Sequence, residues 1–219
     1  MRKKLEDVFE RLLKTYGERH WWPARSPFEV IVGAILTQNT AWSNVEKAIR
    51  NLEAAQALSP AALAGLAPAE LERLIQPSGY FRQKAQRLQR FARHLTECCD
   101  GSLSRLFGES LDKTREKLLA MNGIGPETAD SILLYAARFP TFVVDAYTIR
   151  LFSRLGVLTG TERYGQVRDL FLTHLPSDAA LFNEYHALIV EHGKVRCRKR
   201  KPCCDTCPLS DICLFRGCS

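Results

Sequence analysis

Residues Leu118–Arg154 read LLAMNGIGPETADSILLYAARFPTFVVDAYTIRLFSR, and this stretch decides the fold. Leu118, Leu119 and Met121 close one helix. Asn122-Gly123-Ile124-Gly125 then supplies two glycines, which take backbone torsions that other residues resist. Pro126 falls just inside the next helix, where its missing N–H costs nothing, and Ile132, Leu133 and Ala136 give that helix an apolar stripe. Phe142-Val143-Val144 reads as a short extended run, and Asp145 heads a further helix that ends near Gly156. A glycine hairpin opening onto a helix N-terminus presents backbone N–H groups that can grip a phosphate. The same residues also suit an ordinary pair of packed helices. An Asp at a helix start caps free N–H groups, and a carboxylate can do so while still facing a cleft.

Working outward, the chain has 219 residues, enough for one domain or two small intertwined ones. Lysine and arginine number 31 against 24 acids, a net charge of +7 that fits an anionic partner such as nucleic acid. No apolar run reaches the roughly 18 residues of a membrane-spanning helix. The first residues, MRKKLEDVFERLLKTYG, form an amphipathic helix and not a secretion signal. The expected location is the cytoplasm, in association with the nucleoid.

Leu5, Val8, Phe9, Leu12 and Leu13 place a surface helix over residues 3–16. Trp21-Trp22-Pro23 cannot continue it; the two rings are either core anchors or a flat surface for a base. Residues 27–37, PFEVIVGAILT, predict a central buried helix, which ends at Gln38-Asn39-Thr40. Trp42, Val45, Ala48, Ile49 and Leu52 make the next helix. Ser59-Pro60 and Ala67-Pro68 mark two short helix starts. Residues 81–97 are amphipathic, with Arg82, Lys84, Arg87, Arg90 and Arg93 as a basic stripe on the solvated face. Residues 164–174 and 178–192 predict two more helices, the second capped at Gly193. With no convincing strand, the chain reads as all-α, with about ten helices.

Eight cysteines are present. Cys98 and Cys99 read as buried or half-buried side chains. The other six lie in the last 23 residues, where Cys197, Cys204, Cys207 and Cys213 have the spacing C-x6-C-x2-C-x5-C. In a reducing compartment such a cluster points to metal before disulfides, and four thiolates suit either zinc or a four-iron cluster. Cys203 and Cys218 are left over, and a swap of Cys203 for Cys204 stays open. Arg198, Lys199, Arg200 and Lys201 sit between the first two ligands, where clamping would hold them against phosphates.

Taken together, Gly123-Ile124-Gly125-Pro126-Glu127-Thr128-Ala129-Asp130 and Val143-Val144-Asp145-Ala146-Tyr147 resemble the helix-hairpin-helix DNA glycosylase superfamily, the endonuclease III relatives. The resemblance covers about residues 20–215. It implies a two-domain fold: a six-helix barrel over 24–138, and a second domain from 1–23 plus 139–219 carrying a C-terminal [4Fe–4S] loop. The cysteine spacing after His192-Gly193-Lys194 is similar to that family's iron–sulfur motif, which makes the [4Fe–4S] cluster the implied cofactor. The implied partner is double-stranded DNA with a damaged base, bound by a monomer and extruded into a cleft. Gly123, Gly125 and Thr128 would contact backbone, Gln38 would fill the gap left by the base, and Tyr80 would wedge into the opposite strand. Asp145 would drive base removal.

Bifunctional members carry a lysine in the pattern G-x-G-x-K-T-A, and Glu127 occupies that position here. A carboxylate cannot form an imine, so lysine-based lyase chemistry is not expected. W-W-P, L-T-Q-N-T, the lysine-free hairpin and H-G-K together resemble the 3-methyladenine DNA glycosylase III branch. That branch implies a base pocket from Trp21, Trp22 and Trp42, with Glu127 and Lys194 nearby, and an alkylated purine as substrate. A cationic methylated base is attracted to aromatic faces. The retained cysteines depart from that branch, so a uracil or thymine mismatch glycosylase is the alternative. A catalytically idle DNA-binding module is the remaining one.

Overall fold

The computed structural model describes residues 1–215, all helix and connecting loop, with no strand among them. Cys218, left without a role by the sequence, lies outside the described residues. The chain divides into two compact units, one of Ala24–Phe139 and one of Met1–Pro23 with Pro140–Ser219.

The second unit opens with α1 (Arg2–Tyr16), which buries Leu5, Val8 and Leu12 along one stripe. The first unit is built on α2 (Pro27–Leu36), buried along nearly its whole length. Its start is set by Ser26, whose hydroxyl accepts from the Glu29 N–H at 3.1 Å, with Pro27 in the first turn. Around it come α3 (Trp42–Ala54), α4 (Pro60–Gly65), α5 (Pro68–Leu74), a one-turn 3₁₀ segment (Gln76–Ser78) and α6 (Phe81–Cys99). They are followed by α7 (Leu103–Leu106), α8 (Leu111–Ala120) and α9 (Pro126–Ser131), which runs on into a π-turn over Ile132–Ala136. Helix α2 packs against α3, α6, α9 and that turn. A uniformly apolar helix has to sit where every side finds a neighbour.

The basic stripe of α6 is not all solvated surface. Lys84 is 1% exposed, and its ammonium donates to the carbonyls of Leu36 at 2.9 Å and Ser78 at 2.7 Å. It thereby caps the C-terminus of α2, whose last carbonyls have no partner within the helix. Burial, and then the charge of Arg87, lower its pKa to about 8. Cys99 is buried as expected, but Cys98 is exposed, because neighbouring residues at the end of α6 face different sides.

The rest of the second unit is α10 (Ala146–Arg154), α11 (Tyr164–His174) and α12 (Ala179–Val195), with α12 packed on α1 and α10. Phe142, from the apolar run before Asp145, stacks on Phe171 at 3.8 Å and meets Phe182 and Tyr185 edge-on. The Tyr185 hydroxyl donates to the Leu5 carbonyl at 2.7 Å, tying α12 to α1. Helix α12 does not stop at Gly193 but continues to Val195. Gly193 serves a close approach instead: a Cβ there would lie 2.3 Å from Tyr147 Cδ1. Arg150, stacked over the Tyr147 ring, donates to the Gly193 carbonyl at 3.1 Å.

Candidate active site and nucleic-acid interface

Asp145 is the N-cap of α10. Its Oδ1 accepts from the Thr148 N–H at 2.8 Å and the Thr148 hydroxyl at 3.0 Å. Its Oδ2 lies 3.4 Å from His186 Nε2, on α12, and the side chain is 14% exposed. Burial alone pushes this carboxyl up, but His186 and the two Thr148 bonds outweigh it and hold the group below its ordinary range. Asp145 is therefore ionised at neutral pH. His186 was not legible as a site residue. It sits six positions before His192 on a helix whose sequence carries no spacing that singles it out.

In the same unit, Trp21 and Trp22 follow α1 with ring centroids 5.7 Å apart and planes tilted by 51°. The Lys194 ammonium stands 5.6 Å from the Trp21 ring centroid, a cation–π contact. Trp42 belongs to the other unit, where its indole N–H donates to Glu46 at 2.8 Å.

The hairpin lies in the first unit. Gly123 has φ +93, which favours glycine, whereas Gly125 has φ −88 and caps α9 in an extended conformation. Glu127 is exposed in the first turn of α9. Asp130, fully buried, receives a bidentate pair from Arg115 of α8 at 2.9 and 3.0 Å. That fork fixes the two hairpin helices to each other. Thr128 is buried, and its hydroxyl accepts from Gln38 Nε2 at 2.9 Å, while the Gly123 carbonyl accepts from the same amide at 3.1 Å. Arg87 donates to Gln38 Oε1. Tyr80 is 68% exposed with φ +47 at the start of α6, an outward aromatic on a backbone conformation that few residues adopt.

Cys197, Cys203, Cys204, Cys207 and Cys213 line one small pocket with Leu151, Leu155 and Leu209. Sulfur ligands converging on an apolar pocket fit an iron–sulfur cluster. No three such side chains are close enough for a single metal ion among the described residues. Cys203, one of the two cysteines left over by the spacing, lines this pocket beside Cys204. The Cys203 sulfur accepts from Arg198 at 2.6 Å. Arg198, Lys199, Arg200 and Lys201 are all exposed. Arg154 holds their backbone, donating to the carbonyls of Arg198 at 3.0 Å and Lys199 at 3.5 Å and to the Cys197 sulfur at 3.2 Å.

Residues 32–177 match the model of the HhH-GPD superfamily base excision DNA repair protein. The chain belongs to this family of helix-hairpin-helix DNA glycosylases. Among relatives, it is 46% identical over 211 residues to a Methanocaldococcus jannaschii protein named "Putative DNA repair glycosylase MJ1434", covering 95% of each chain. An endonuclease III in a non-covalent DNA complex shares the fold with a TM-score of 0.84 at 22% identity, over 97% of this chain and 95% of the other. The H. pylori 3-methyladenine DNA glycosylase bound to 1,N6-ethenoadenine is 30% identical with a TM-score of 0.74. That match covers 88% of this chain and 95% of the other.

Proposed function

We propose that this chain is a monofunctional DNA N-glycosylase that removes an alkylated purine, such as 3-methyladenine, from duplex DNA. The observation that carries the reading is Asp145, a carboxylate kept ionised inside the protein by His186 and Thr148. A buried negative charge with no lysine or arginine bonded to it among the described residues is costly unless it serves a developing cation. As the C1′–N bond breaks, its electron pair leaves with the base and positive charge grows on the sugar, which Asp145 stabilises. Water then adds at C1′ and gives up a proton, leaving an abasic site.

Two further features support the finer assignment. Glu127 stands where bifunctional relatives place the lysine, and it cannot form an imine, so the strand stays intact after base release. Trp21 already attracts a cation, Lys194, to its ring, and a methylated base carrying positive charge would take such a place. The likeness to the 3-methyladenine glycosylase agrees with this substrate class. Cys197, Cys204, Cys207 and Cys213 would hold a [4Fe–4S] cluster, which supplies a rigid anchor for the basic loop. A panel of duplexes bearing 3-methyladenine, uracil, a thymine–guanine mismatch or an oxidised base, each scored with and without alkali, tests the reading. Release of the alkylated base with alkali-dependent strand cleavage is expected. Preference for uracil or mismatched thymine would overturn the substrate class.

A further inference from the structure

Arg87 of α6 makes an arrangement that neither phosphate binding nor helix packing requires. Its side chain lies across Gly123 so closely that a Cβ there would meet Arg87 Nε at 2.5 Å, Cγ at 2.6 Å and Cδ at 2.7 Å. Its guanidinium donates to Gln38 Oε1, and this fixes which way the amide points. The Gln38 Nε2 is then free to donate to the Gly123 carbonyl and the Thr128 hydroxyl. One turn along α6, Arg90 reaches the Asn122 carbonyl at 3.5 Å. The turn after α2, the hairpin and α6 are thus closed on each other through a single glutamine.

The geometry points to Arg87 as a clasp that holds Gln38 against the hairpin until a DNA phosphate takes the guanidinium. It rests on the reading of Gln38 as the residue that enters the space left by an extruded base. Gln38 cannot fill that space while its amide holds the Gly123 carbonyl and the Thr128 hydroxyl. Arg87 bonds a neutral amide and no carboxylate among the described residues, although a guanidinium bonds a charged oxygen about twice as strongly. A phosphate arriving at the hairpin would therefore compete well for it. Once Arg87 turns, the orientation of the Gln38 amide is no longer enforced, and Gln38 is released where DNA is already bound. Arg87 is on this view a positioning residue: it ties insertion to backbone contact and keeps Gln38 out of sites where the hairpin is not seated.

The test uses stopped-flow fluorescence of 2-aminopurine placed beside a tetrahydrofuran abasic analogue in a duplex, with protein saturating. Insertion of a side chain into the gap unstacks the probe, and no excision is involved, so the outcome does not depend on which base the enzyme removes. Gln38→Ala should remove most of the fluorescence rise. Arg87→Met should weaken binding and reduce the salt slope by about one, yet speed the rise by about tenfold, the strength of one charge-assisted hydrogen bond. In the Gln38→Ala background, Arg87→Met should change only the affinity. If Arg87→Met melts too low to use, Arg87→Lys, which keeps a charge but not the planar fork, should give a smaller acceleration in the same direction. An unchanged rate in both Arg87 variants, or the same effect of Arg87→Met with and without Gln38, would overturn the clasp. A Gln38→Ala protein with the wild-type rise would overturn the role of Gln38 and the clasp with it, while leaving the glycosylase reading standing.

Discussion

Asp145 Oδ2 and His186 Nε2 stand 3.4 Å apart, joining the N-cap of α10 to the middle of α12. Both side chains are largely withdrawn from water, so their electrostatic coupling is screened less than a surface pair's would be. Thr148 occupies the other carboxylate oxygen. The carboxylate is thus held from two helices, which gives it a fixed direction as well as a charge.

Replacing His186 with Gln should leave Asp145 oriented but less well supported electrostatically. Excision under single-turnover conditions should slow by about tenfold, the worth of roughly one pKa unit of interaction. Since His186 lowers the Asp145 pKa, its loss should also move the acid limb of the rate profile to higher pH. In the wild type that limb should lie below the ordinary carboxylate range, with activity lost only as pH falls through the lowered value. An unshifted limb in His186→Gln would show that Thr148 alone sets the charge state.

Lys84 carries a pH signature of opposite origin. Its folded pKa is lowered from 10.5 to about 8, so between those values the unfolded chain binds a proton that the folded chain does not. The contribution of this group to stability therefore rises as pH increases from 8 towards 10.5. Denaturant unfolding of the wild type and of Lys84→Met should show a stability difference that shifts in favour of the wild type over that window. A constant difference would mean that Lys84 is not desolvated in the folded protein.

Iron content and colour check the cysteine pocket. Anaerobically purified protein should bind about four irons per chain with broad visible absorption, and Cys197→Ser should lose both. Stoichiometric zinc without iron would replace the cluster. Substituting Ala for Lys199, Arg200 and Lys201 should leave iron content unchanged and weaken binding to all duplexes alike, with a flatter salt dependence. A loss confined to one lesion would assign the loop to base recognition.

Much of this architecture was legible in the sequence because it rests on local signals. Ser59-Pro60 and Ala67-Pro68 announce helix starts, the apolar run before Gln38 announces a buried helix, and Asp145 announces a cap. What was hidden depends on distant pairings. Lys84 reads as one more surface cation in a basic stripe, because the carbonyls that draw it inward, Leu36 and Ser78, come from other elements. Gly193 reads as a helix end, because nothing local shows that Tyr147 presses against it. His186 and Arg87 escaped for the same reason: each is defined by one partner that folding brings from 41 or 49 positions away.

Asp145→Asn tests the central claim most directly. The amide oxygen can still accept from Thr148, so duplex affinity and the α10 cap should persist while the charge facing the developing sugar cation is lost. On a 3-methyladenine duplex, the wild type should release the base, leave a strand that breaks only with alkali, and give no adduct with borohydride. Asp145→Asn should bind that duplex as tightly and excise on the order of a hundredfold more slowly, the scale of losing one electrostatic stabiliser of a transition state. Full excision by Asp145→Asn, or efficient borohydride trapping of the wild-type protein, would contradict a lysine-free glycosylase driven by Asp145.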